Sequence, residues 1–105
     1  MAISLRGKTK PAALNSAEGT LATGATVEVV SAAQNTNGVV IHHARWVGAS
    51  GHEIVLNLGS TAIPAGSVDY EGALADTLVS SNKAIGFESL GGSGTVAYSI
   101  TYEWK

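Results

Sequence analysis

Cysteine is absent from this chain, so neither disulfides nor thiolate metal ligands are available to it. Charge is scarce too: charged residues make up 13% of the sequence and the formal net charge is −2. That charged share is about half the ordinary one. A nucleic-acid binder, or a protein held on an anionic membrane, carries a basic excess that is missing here, so neither partner is expected. No apolar run approaches the roughly 20 residues needed to cross a bilayer. The stretch Met1 to Lys10 lacks the long apolar region that precedes a signal cleavage site. No internal repeat is visible, which sets aside solenoids and propellers. With 105 residues the chain is expected to form one domain with a single core and no covalent staples. Few surface charges also mean weak colloidal repulsion, so association with other subunits, as a homo-oligomer, is expected.

What is present is strand pattern, and it is strongest at the end. In Thr95 to Lys105, Val96, Tyr98, Ile100, Tyr102 and Trp104 alternate with Ala97, Ser99, Thr101 and Glu103. Successive strand side chains point to opposite faces, so this segment is expected to lie in a sheet with one face buried. Thr26–Ala33, Val39–Val47, His52–Leu58 and Lys83–Leu90 carry further strand character. Asn37-Gly38 reads as a hairpin turn in which both residues tolerate positive φ, and Gly48 to Gly51 as a second turn. Ile63-Pro64-Ala65-Gly66 reads as a third turn. Ser67–Glu71 fits a short strand, and a short edge strand is anticipated between Pro11 and Ala25. Gly72–Ser81, with Leu74 and Leu78 four apart, reads as one helical turn or a packed loop. Residues 1–11 are expected to be a basic N-terminal arm, and residues 12–105 a single β-sandwich domain.

Six to eight short strands without a long helix predict an all-β fold, an antiparallel β-sandwich of jelly-roll type. An immunoglobulin-like sandwich is the alternative.

Residue types with chemical potential are sparse. His42, His43, His52 and Glu53 are the one cluster with metal-ligand character. Adjacent histidines on a regular strand point to opposite faces, so no closed site is expected. No cysteine nucleophile exists, and Gly48-Ala49-Ser50-Gly51 does not spell a nucleophile elbow. Asp69, Glu71 and Asp76 lack calcium-loop spacing. Gly91-Gly92-Ser93-Gly94 has no lysine in the place a phosphate loop requires. The sequence therefore predicts no catalytic residue, no metal and no cofactor. Trp104 is expected to continue the buried stripe. Trp46 shares a strand face with His42 and Ala44, and is weighed between core, protein contact and sugar stacking.

The run Ser31-Ala32-Ala33-Gln34-Asn35-Thr36-Asn37-Gly38-Val39-Val40-Ile41 resembles a stretch of small all-β virion proteins of tailed bacteriophages and related particles. Ile63-Pro64-Ala65-Gly66 and the tyrosine-bearing ending are similar to features of the same proteins. The resemblance implies a non-enzymatic structural subunit: a head decoration, spike-base, fibre-base or tail accessory protein, located in the virion and assembled in the host cytoplasm. Its partners would be other virion proteins, with Arg6, Lys8 and Lys10 meeting an acidic shell surface and Trp46 as a further contact. A trimer or pentamer, or a poorly soluble monomer, is expected of the chain alone. The alternative is a carbohydrate-binding module for host-surface recognition, with glycan as the ligand.

Overall fold

The computed structural model describes residues 14–49, 52–65, 71–90 and 96–105. Their secondary structure is eight strands: β1 (Asn15–Leu21), β2 (Thr26–Val30), β3 (Val39–Val47), β4 (Ile54–Leu58), β5 (Thr61–Pro64), β6 (Glu71–Val79), β7 (Ile85–Ser89) and β8 (Val96–Trp104). They form two four-stranded antiparallel sheets, ordered β1-β8-β3-β6 and β2-β7-β4-β5. Pairing runs β1 with β8, β2 with β7, β3 with β6 and β4 with β5. This is one long hairpin, with its tip between β4 and β5, rolled so that β8 also pairs β3 and β7 also pairs β4. Such a roll is a jelly roll, and it displaces the immunoglobulin-like alternative.

The topology corrects three local expectations. Asn37-Gly38 is no hairpin turn, because β2 and β3 belong to different sheets, and of the two only Gly38 has a positive φ, 101°. The bend is instead held by Asn35, which is fully buried: its amide donates to the Ser80 carbonyl (2.8 Å) and the Lys83 carbonyl (3.0 Å), and its Oδ1 accepts from the Gly38 N–H (2.8 Å). The segment Ile63-Pro64 lies within β5 rather than in a turn, and the tip turn is Gly59-Ser60, with Gly59 at φ 64°. A proline is tolerated there because β5 is a sheet edge, where a missing N–H breaks no internal ladder. Gly72–Ser81 is neither helix nor loop: most of it is the nine-residue edge strand β6. Of the anticipated strand Ser67–Glu71, all but Glu71 lies outside the described residues, as do Asp69 and Gly91 to Gly94.

The core lies between the sheets. Val39, Ile41, Ala44 and Trp46 of β3 and Val96, Ile100 and Tyr102 of β8 meet Ile54 and Leu56 of β4 and Ile85 and Phe87 of β7. One row of the first sheet anchors it: Gly19, Tyr98, Trp46 and Gly72 are register partners across β1, β8, β3 and β6. Phe87 from the other sheet stacks on Tyr98 with centroids 4.8 Å apart and tilts against Trp46 at 6.1 Å. The aromatics in the middle spread over the glycines at either side. A Cβ on Gly72 would lie 2.2 Å from the Trp46 ring, and one on Gly19 would lie 2.9 Å from the Tyr98 hydroxyl. Both glycines are there for space. Each buried aromatic removes roughly 150–250 Å² from water, so this row dominates the inter-sheet energetics.

Trp104 departs from the anticipated stripe. It keeps the inward parity of β8 but sits at the strand's end, 40% exposed, edge-on to Tyr102.

Candidate functional site

The outer face of the β1-β8-β3-β6 sheet carries several charged and polar side chains outside the core. Alternation places Glu18 and Thr20 of β1, Ala97, Ser99 and Thr101 of β8, and Arg45 and Val47 of β3 on that face. Glu18, Ser99, Arg45 and Ala73 form one transverse row in register. Thr20, Ala97, Val47 and Glu71 form the next. Between them lies a shallow depression of about 410 Å³, with Glu18 on one wall, Arg45 on the other and Ala97 and Ser99 as floor. The Arg45 Nε donates to the Glu71 carboxylate. The other guanidinium N–H groups and the Glu18 carboxylate have no partner among the described residues. A guanidinium carries five N–H donors, so Arg45 retains capacity for a second carboxylate.

Further along the same face, β3 is not a regular strand. Its pairing with β8 jumps between Ile41 and His43, so His42 is an extra residue. Ile41 and Ala44 are both buried, while His42 is half-buried and His43 exposed. A bulge of this kind puts two consecutive side chains on one face. The expectation that adjacent histidines diverge is therefore corrected: both lie on the outside. The edge strand β6 carries the matching irregularity, with Asp76 facing His42 at φ 50°. Asp is among the few L-residues that enter the left-handed region readily. The His42 Nε2 lies 2.8 Å from the Glu103 Oε1, which ties the bulge to β8.

His52 is elsewhere and cannot join them. It is buried in the connection from β3 to β4, where its backbone bridges Ala49, and its Nε2 shares a 2.7 Å hydrogen bond with Ser89 Oγ. A serine beside a histidine has the form of a nucleophile and its base. Here Ser89 is only 2% exposed and His52 1%, so no substrate reaches the pair. It is a buried polar clamp from the β3–β4 connection to the end of β7. Among the described residues no three histidine, aspartate or glutamate side chains stand where they could hold a metal ion. Of the acidic trio weighed from sequence, Glu71 pairs Arg45 and Asp76 serves the bulge.

The expected partner contacts divide. Arg6, Lys8 and Lys10 lie outside the described residues. Trp46 is corrected: it is fully buried between Gly72 and Phe87, so it meets neither a protein surface nor a sugar. The bulge is the reason, since it reverses the face of every residue beyond His43 relative to a simple count from His42. Its indole N–H has no hydrogen-bond partner among the described residues, which fits a ring placed for volume. The Glu18–Ser99–Arg45 row was not singled out from sequence, because membership of a row depends on which strands pair.

Over the described residues, fold and face together define an eight-stranded jelly roll whose β1-β8-β3-β6 sheet carries a lightly charged outer face. No protein-family model, curated protein or solved structure matches the chain.

Proposed function

We propose that this protein is a non-enzymatic structural subunit of a phage-like particle, a head decoration, spike-base, fibre-base or tail accessory protein that works by assembling with other virion proteins. The observation that carries the reading is the open sheet. The jelly roll buries its aromatic row inward and leaves outward a face floored by Ala97 and Ser99 and bordered by the long edge strand β6. Small side chains let another surface approach the backbone closely, and an edge strand presents unpaired N–H and C=O groups to a neighbour. Capsid proteins are among the recurrent users of this roll, as are lectins and cupins, so the fold supports the reading by analogy. The stretches around Asn35-Thr36-Asn37-Gly38 and the tyrosine-bearing ending supply the virion half of it.

The test is where the chain travels in its native source. Lysates resolved on a density gradient and probed with an antibody to the chain should show it in dense, particle-sized fractions. Recovery only among small soluble proteins overturns the proposal.

A further inference from the structure

We infer that the outer face of the β1-β8-β3 region is self-complementary and docks a second copy of this chain about a two-fold axis running along β8. The inference deepens the assembly reading and rests on it. Its argument is the order of charge along one row. Glu18, Ser99 and Arg45 are register partners on three neighbouring strands, with the acid on β1, the base on β3 and a small hydroxyl midway. Consider two such faces brought together around an axis parallel to β8. That operation keeps every residue at its own height along the strands and exchanges left for right. It lays β1 of one copy over β3 of the other, and Glu18 therefore meets Arg45 twice, while Ser99 faces its own equivalent on the axis. An axis across the strands instead stacks β1 on β1 and β3 on β3, opposing Glu18 to Glu18 and Arg45 to Arg45. Like charges placed opposite one another are strongly disfavoured, so within this row the charge order selects the first arrangement, with Glu103 of β8 also facing its equivalent while held by its own His42.

The local chemistry suits the pairing. Glu18 is exposed and unpartnered among the described residues, and Arg45 is spoken for only at Nε, by Glu71. The incoming carboxylate takes the remaining guanidinium N–H groups, making a carboxylate–guanidinium–carboxylate chain across the boundary. Ala97 and Ser99 at the floor of the depression let the two sheets come close. A two-fold interface uses one patch on both copies, whereas a ring of three or five needs two different complementary patches. Here a single face holds both complements, which favours a pair over the ring anticipated from sequence.

The absence of cysteine makes the geometry directly testable. Ser99→Cys should form a covalent dimer with a short thiol-specific crosslinker. Glu18→Cys alone and Arg45→Cys alone should not, and a mixture of those two variants should. Glu18→Arg should weaken self-association in sedimentation at least roughly tenfold, with an unchanged thermal melt showing that the fold is intact. Self-crosslinking of Glu18→Cys with none from the mixture overturns the axis. Oligomers in sedimentation with no crosslink from any variant overturn the face while leaving the assembly reading in place. A chain that stays monomeric yet travels with particles also overturns the self-docking alone; one that stays monomeric and is absent from particles ends both.

Discussion

Gly72 and Trp46 show how a single hydrogen in place of a methyl group sets a core. Glycine in a strand interior is ordinarily a weakness, and alanine there is better by roughly 0.5–1 kcal/mol. At Gly72 the sign should reverse, because the added Cβ would sit 2.2 Å from a ring locked under Phe87. Gly72→Ala is expected to cost about 1–3 kcal/mol, as overpacking does, measured by urea unfolding followed through tryptophan fluorescence. Gly19→Ala should cost less, since the atom it meets is the hydroxyl tip of Tyr98. A stabilised Gly72→Ala would show that the ring does not lie over the neighbouring strand. None of this was legible residue by residue. The sequence shows Trp46 and Gly72 some distance apart, and only the β3–β6 register makes them one unit.

Strands β3 and β6 carry the lesson at the scale of elements. The pattern Val39–Val47 marks β3 with its observed limits, because β-branched and aromatic residues over nine positions leave little ambiguity. Which way its side chains point was not legible, since parity counting assumes a regular pleat and His42 breaks it. The same break disguised β6. Leu74 faces inward and Leu78 is 63% exposed, although a regular strand would put both on one side. Four-residue spacing then imitated a helix. The irregularity in β6 is held by Asp76 in left-handed backbone, which makes its energetics specific. Asp76→Val is expected to destabilise by about 1–2 kcal/mol, as a β-branched residue forced to positive φ should. Asp76→Gly should stay within about 0.5 kcal/mol of the parent. Equal stability of the Val and Gly variants in thermal melts would mean the bulge relaxes rather than holds.

For the molecule as a whole, the sandwich class and its jelly-roll type were readable, whereas β5 and β6 were hidden as a turn and a helical turn or loop, and the bends did not reveal which strands pair. Turn signals mark where the chain bends, yet they are silent on whether it returns to the same sheet; Asn37-Gly38 bends into the opposite one. The terminal strand was the most legible element, and its position explains why its pattern is so strong: β8 lies between β1 and β3, and its inward Val96, Ile100 and Tyr102 join the core. A chain ending before Val96 should show no cooperative unfolding transition and little strand signal in circular dichroism. Removal of Lys105 alone, which gives up one backbone bond to Gly38, should leave the transition intact. A cooperative transition in the shortened chain would mean the sheet closes without its central member. Of the eight strands, that central member is also the one a ribosome delivers last. Until it emerges, β1 has no ladder in its sheet and β3 has only the one to β6. Translation therefore passes through an interval in which the other described strands wait on this one, and crowded nascent chains have their best opportunity to borrow one another's missing piece.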